Sequence, residues 1–299
     1  MRNMMVRRVC TLGLLLTVTA CSGSGGSGSA GAGSPTAPTP VTAAPVSYTA
    51  VGASDAVGVG ASVPCAPLVP CPTGTGYVPV LARRLGQSGA TVTLTNLGIP
   101  GAVVNAEMLA LSASVGGGAP ADMVRASLPL VPASSTVVTV FAGGNDANAI
   151  ASAVQAGLAG SNEATYVDSQ VAVFGTGFQA LIDGIRSRAP GARLLVVNLP
   201  NLAALPYAAA YPSLRQRSLQ RAAVGMTTQV INRMATQGIP VVDLMCDPRV
   251  YERGNLSADG FHPSDAGYAL LAETLFQASL TGVSTPAPTC SQMQVVPGL

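Results

Sequence analysis

Five short apolar runs, rich in valine and threonine, recur along this chain and predict five β-strands. The third run, Val137-Val138-Thr139-Val140-Phe141, is almost continuously β-branched, which is typical of a strand that is covered on both faces. The five runs occupy residues 48–52, 90–97, 137–141, 194–197 and 240–244.

Helical patterns fall between these runs, at residues 77–85, 166–188 and 264–280, with Ser264 as the expected N-cap of the last helix. A further apolar stripe with spacings of three and four predicts one helix that ends at Gly238. The residues of this stripe are Leu219, Ala222, Met226, Val230 and Met234.

Strands that alternate with helices predict a three-layer α/β/α fold, in which about five parallel strands form one sheet with helices on both faces. Such sheets bind ligands beyond the carboxyl ends of their strands. A functional site is therefore expected in the segments that directly follow the apolar runs.

The first 20 residues are typical of an export signal, with a basic start and an apolar run at 9–18 that is too short to span a bilayer. The run ends in Val18-Thr19-Ala20-Cys21, which resembles the lipobox of bacterial lipoproteins and predicts that Cys21 carries a lipid. An ordinary secretory signal, cleaved near the same place, is the alternative. Either interpretation implies export, and the lipobox implies a membrane anchor on the extracytoplasmic side.

Residues 21–47 are rich in Gly and Ser and then in Pro, Thr and Ala, so they predict a disordered tether that cannot bury a core. The folded domain is expected at 48–281, and a C-terminal tail at 282–299. The chain contains no lysine, and without three signal arginines 12 basic residues stand against 13 acidic ones. With nearly equal numbers of basic and acidic residues, the sequence shows no basic stripe that could bind nucleic acid, so we expect no nucleic-acid partner.

Outside the signal and Cys21, four cysteines remain, which in an exported protein indicates two disulfides. Three pairings are possible. The short separation of Cys65 and Cys71 favours a local bridge, which leaves Cys246 and Cys290 to attach the tail to the end of a strand. Four free, buried thiols are the alternative.

His262 is the only histidine, so it is the side chain best suited to carry a proton near neutral pH. Asp259 precedes it by three residues. A zinc site built on several histidines is excluded, and no Cys-x-x-Cys pair replaces one. We therefore expect no metal and no cofactor.

Four of the segments that follow apolar runs hold the groups that acyl transfer needs. Ser54 offers a hydroxyl nucleophile on a strand-to-helix turn, His262 a base, and Asp259 an acid to orient that base. Donors for an oxyanion are the N–H groups of Ser54 and Gly101 and the amide of Asn145. Gly98 fits the same position as Gly101.

The pattern resembles that of the SGNH (GDSL-type) hydrolases, a family of esterases and lipases. The four namesake residues of that family correspond, in type and in chain order, to Ser54, Gly101, Asn145 and His262. Gly143-x-Asn145-Asp146 and Asp259-x-x-His262-Pro263 match two of its blocks closely. The resemblance implies a flavodoxin-like sheet and a serine esterase whose partner is a small-molecule ester. Membrane contact is expected only through the lipid anchor.

The chain departs from that family in its first block, where the aspartate before the nucleophile is replaced by Ala53 and an acid follows at Asp55. This departure keeps open a tethered binding protein with a decayed hydrolase site, in which Ser54 is only a helix cap. An O-acyltransferase is a third hypothesis. Short or medium acyl esters, acetylated sugars and lysophospholipid-like lipids all remain candidate substrates.

Overall fold

The computed structural model describes residues 43–87 and 89–295. Five parallel strands form one sheet in the order β2-β1-β3-β4-β5, and the all-buried β3 lies at its centre. This is the flavodoxin-like strand order, so the predicted fold class is confirmed. The strands are β1 Val46–Gly52, β2 Val92–Asn96, β3 Val137–Phe141, β4 Arg193–Val197 and β5 Val241–Val242.

Helices cover both faces of the sheet. The second helix contacts β1 and β2, the last helix contacts β4 and β5, and the two pack against each other. Four others pack together in a second layer: α3, α5, α6 and α7. The helices are α1 Ser54–Val57, α2 Tyr77–Gly86, α3 Ala106–Ser114, α4 Met123–Ala126, α5 Gly144–Gln155, α6 Glu163–Arg188, α7 Ser213–Gly225 and α8 Asp265–Thr281.

The sequence predicted one regular helix that ends at Gly238. This helix is interrupted in the structure, so the prediction of a regular helix was wrong. Helix α7 ends at Gly225 and continues as a π-helical turn, Met226–Val230, and a 3-10 segment, Ile231–Gln237. The hydroxyl of Thr227 donates to the carbonyl of Leu199 at 3.1 Å, which draws this turn toward the loop after β4. The predicted end is correct, because Gly238 has a left-handed φ of 75°.

Both expected disulfides are present, Cys65–Cys71 and Cys246–Cys290. The second bridge fixes the C-terminal tail beside β5, where the Val241 N–H donates to the Ser284 carbonyl at 2.8 Å. The tail thereby covers the edge of a strand that is only two residues long.

The N-terminal boundary differs slightly from the expected one, because β1 begins at Val46 rather than at residue 48. The expected signal peptide, the lipid site at Cys21 and most of the tether lie outside the described residues. Within those residues, no helix combines the length and the apolar character needed to cross a membrane.

Candidate active site

Ser54 lies where β1 turns into the one-turn helix α1, at the carboxyl edge of the sheet. Ala53 precedes that helix with non-helical dihedral angles, and Gly58 ends it with a left-handed φ of 74°. The Ser54 side chain is 7% exposed. As the first residue of a helix, Ser54 has a backbone N–H without an intrahelical acceptor, so this donor is free to face a ligand.

His262 and Asp259 lie in the loop that enters α8, and this loop brings them to Ser54 across 208 residues of sequence. The Nε2 atom of His262 lies 2.8 Å from the Ser54 Oγ. Its Nδ1 atom lies 2.7 Å from the Asp259 Oδ2. Hydroxyl, imidazole and carboxylate therefore form one continuous hydrogen-bonded chain, which is the arrangement that nucleophilic catalysis by serine requires.

The Asp259 carboxylate is fixed by further donors at its second oxygen. Oδ1 accepts hydrogen bonds from the Ser257 hydroxyl at 2.8 Å and from the N–H groups of Phe261 at 2.8 Å and His262 at 2.9 Å. Partial burial alone would raise the pKa of Asp259, but the hydrogen bonds from His262, Phe261 and Ser257 hold that pKa well below its usual range. Asp259 is therefore ionised at neutral pH and oriented toward the imidazole.

Gly101, rather than Gly98, has a backbone N–H available for a ligand. The Gly98 N–H donates to the Asn96 side chain at 3.0 Å, whereas the Gly101 N–H donates to no group among the described residues. Gly101 also has a φ of 81°, a conformation that L side chains rarely adopt. Because the Asn96 side chain occupies the Gly98 N–H, the geometry favours Gly101 for the position that the sequence left open between the two glycines.

Asn145 lies in the first turn of α5, directly after Gly143, whose φ of 119° turns the chain from β3 into the helix. One N–H of the Asn145 amide donates to the Ala102 carbonyl at 2.9 Å. This bond orients the amide and leaves its second N–H free. Asn145 and Ser54 line the same pocket.

The neighbouring acids hold the loops together. Asp146 is fully buried, and its Oδ1 accepts the Val104 N–H at 2.9 Å, which ties α5 to the segment after Gly101. Burial raises the pKa of Asp146 to about 7, although the Val104 N–H opposes this shift. Burial also raises the pKa of Asp55, against the effect of His262. The Tyr268 hydroxyl lies 3.5 Å from the Asp55 carboxylate and donates to the Val59 carbonyl at 2.6 Å.

An apolar pocket extends from Ser54 and Asn145 into the space between the ends of β3, β4 and β5 and helix α8. Six aliphatic residues form much of its wall: Leu199, Leu202, Leu205, Val242, Leu244 and Leu256. An aliphatic chain would bury its surface here favourably.

Sequence reasoning did not single out the pocket wall or Ser257. Most of the wall comes from the loop that follows β4, at 199–205, where leucines alternate with proline, asparagine and alanine in no regular pattern. Its position directly after a predicted strand was the available signal. Among the described residues, no group of three or more His, Cys, Asp or Glu side chains is arranged to hold a metal ion.

Comparison with solved structures places two lipases close to this fold. An extracellular lipase from Streptomyces rimosus shares 20% identity over 78% of this chain and 99% of its own, with a TM-score of 0.53. A lipase from a goat rumen metagenome shares 20% identity over 78% of this chain and 97% of its own, with a TM-score of 0.51. At this identity the similarity bears on the fold alone.

Among curated proteins no match to the chain was found. The model of the GDSL-like lipase/acylhydrolase family, however, matches residues 47–270. That span contains strands β2 to β5, all but the first residue of β1, and the residues Ser54, Gly101, Asn145, Asp259 and His262. The chain therefore belongs to the GDSL-like lipase/acylhydrolase family and is a carboxylic ester hydrolase by class.

Proposed function

We propose that this protein hydrolyses esters of aliphatic acids through an acyl-enzyme intermediate on Ser54. The observation that carries the proposal is the hydrogen-bonded chain from Asp259 through His262 to the Ser54 hydroxyl, at 2.7 and 2.8 Å. The Asp259 carboxylate accepts the Nδ1–H, which leaves Nε2 as the base.

In the first half of the reaction, the Ser54 Oγ attacks the ester carbonyl while its proton passes to Nε2 of His262. The tetrahedral intermediate collapses, and the alcohol leaves with that proton. In the second half, His262 deprotonates a water molecule, which attacks the acyl-enzyme. The acid is then released and the proton returns to Ser54.

The negative charge of each intermediate needs donors that are already in position. The N–H groups of Ser54 and Gly101 and the free N–H of Asn145 are the three candidates. Their availability supports this role, because among the described residues none of these three N–H groups donates to another acceptor, so each can donate to an oxyanion.

The apolar pocket beside Ser54 supports an acyl group longer than acetyl. Its aliphatic wall lies next to the nucleophile, and burial of each additional methylene contributes about 0.8 kcal/mol. We therefore favour medium-chain acyl esters over acetylated sugars as substrates.

We also propose that the protein is exported and anchored to a membrane by a lipid on Cys21. Two disulfides in the folded domain support export, because such bridges persist in oxidising compartments. Mass spectrometry of the mature N-terminus tests this proposal. A diacylated Cys21 is expected, and a mature chain that begins elsewhere without lipid would contradict it.

Ser54→Ala tests the enzymatic proposal. We expect this variant to lose hydrolysis of p-nitrophenyl octanoate by roughly 10⁴-fold or more, with an unchanged melting temperature, because the nucleophile is absent. Retention of wild-type hydrolysis by a folded variant would remove the proposal.

A further inference from the structure

A second pocket adjoins the oxyanion donors and shares none of the aliphatic wall residues of the first. Gly101 and Asn145 line it together with Asn148, Ser152 and Arg215. Since Asn145 also lines the apolar pocket, the two pockets meet at the oxyanion site. When the acyl chain of an ester lies in the apolar pocket, its alcohol part therefore lies in the second, polar pocket.

Arg215 is the only charged residue among the described residues that line this second pocket. Its guanidinium carbon lies 3.9 Å from the centre of the Tyr211 ring, so a cation–π contact holds the side chain in place. Its Nε is buried without a hydrogen-bond partner, and among the described residues no carboxylate lies within 4.0 Å of the guanidinium.

Another arginine of the same helix has a structural role and serves as a comparison for Arg215. Arg221 donates twice to the Asp168 carboxylate, at 2.8 and 2.6 Å. Arg215 has no such partner and faces a pocket with neutral polar groups, Asn148 and Ser152. The bidentate donors of a guanidinium suit a phosphate oxygen pair.

We propose that Arg215 binds an anionic phosphate on the alcohol part of the substrate, so that the preferred esters are acyl glycerophosphates or similar phosphate-bearing acyl alcohols. This inference rests on the proposed function and names the substrate class of the same site. Arg215 touches the leaving group and takes no part in proton transfer. Gly116 and Gly118, at the rim, leave the approach open, because no atom lies within 4 Å of a Cβ built at either position.

The test compares two esters that differ only in the phosphate, 1-octanoylglycerol-3-phosphate and 1-octanoylglycerol, both kept below their critical micelle concentrations. The quantity measured is the ratio of kcat/KM for the anionic ester to kcat/KM for the neutral one. We expect a wild-type ratio above one, and a fall of about tenfold in Arg215→Gln, because a hydrogen bond to a charged group is lost. Higher ionic strength should lower the wild-type ratio as well.

Arg217→Gln is the matched control. Arg217 lies on the same helix, and its Nε is likewise buried without a partner, but it does not line the pocket. Its ratio should equal that of the wild type. A merely structural Arg215 would slow both esters equally, dissolved or in vesicles, and leave the ratio unchanged in both settings, which would overturn the inference.

A second arm presents the same pair of head groups with palmitoyl chains in phosphatidylcholine vesicles. If Arg215→Gln lowers the ratio for the dissolved pair, the subsite binds phosphate esters free in solution. If Arg215→Gln lowers the ratio only in vesicles, the phosphate belongs to a membrane lipid. Either of these two results supports a phosphate subsite at Arg215. A wild-type ratio near one in both arms overturns this inference alone, whereas failure to cleave either ester in either arm overturns the proposed function with it.

Discussion

Replacement of Asp259 by asparagine should lower kcat/KM by 10³- to 10⁴-fold without unfolding the protein. Three donors converge on Oδ1 of Asp259, from Ser257, Phe261 and His262. They would hold the asparagine carbonyl oxygen at that position and so turn its NH₂ toward Nδ1 of His262. An NH₂ donor there favours the tautomer with hydrogen on Nε2, which cannot accept the Ser54 proton.

The expected loss in kcat/KM is set by the free energy needed to restore the tautomer with hydrogen on Nδ1 in the Asp259→Asn variant. A flipped amide loses three hydrogen bonds, at about 1 kcal/mol each. The imidazolium also loses a charged partner, for which we take ~1.5 kcal/mol, the low end for a charged hydrogen bond, because the Asp259 side chain is 45% exposed. The total, between ~4 and ~5 kcal/mol, corresponds to the stated loss at about 1.4 kcal/mol per factor of ten.

The assay is steady-state hydrolysis of p-nitrophenyl octanoate, with melting temperatures measured in parallel. Asp55→Asn is the matched control, because Asp55 is the other acid beside Ser54 but its carboxylate makes no hydrogen bond to His262, whose ring bonds to Asp259 and Ser54. We expect that control to lose less than tenfold. An Asp259→Asn enzyme within tenfold of the wild type, or an equal loss in both variants, would refute the assignment of Asp259 as the orienting acid.

Two further predictions concern stability and specificity. Burial raises the pKa of Asp146 from 3.8 to about 7, so between these pH values the native state keeps a proton that the unfolded chain has released. The free energy of unfolding should therefore fall as pH rises from ~4 to ~7. In urea unfolding at pH 5 and pH 7, Asp146→Asn should reduce this fall by about 2 to 3 kcal/mol, and an equal fall in both proteins would contradict the prediction. For p-nitrophenyl esters, kcat/KM should rise about fourfold per added methylene from acetate until the apolar pocket is filled, and a preference for acetate would contradict the assignment of that pocket to the acyl chain.

The sheet could be predicted because its strands are short apolar runs whose pattern needs no tertiary information. Residues 137–141 match β3 at both ends, and β1 differs by two residues. The predicted run at 240–244 forms only a two-residue strand, because Asp243 turns away to accept the Cys246 N–H at 3.1 Å. The break after α7 could not be predicted, because it depends on the contact of Thr227 with the distant Leu199 carbonyl.

The predicted site residues were accessible to sequence reasoning because each lies in a segment that follows a predicted strand, and because Ser54, Asn145, Asp259 and His262 carry side chains suited to acyl transfer. His262 lies within hydrogen-bond distance of both Ser54 and Asp259, as the sequence predicted. The contribution of Ser257 was not accessible, since nothing in the sequence distinguishes this serine from the others. Arg215 resembled an ordinary surface arginine of a helix, and only the pocket in front of it changes that interpretation.

The most direct test of the central claim is covalent labelling with a fluorophosphonate, followed by peptide mapping. A hydroxyl activated by His262 should react at Ser54 within minutes, and the labelling should disappear in Ser54→Ala and slow markedly in Asp259→Asn. A folded wild-type protein that stays unlabelled, or that is labelled at a different residue, would contradict the claim that Ser54 is an activated nucleophile.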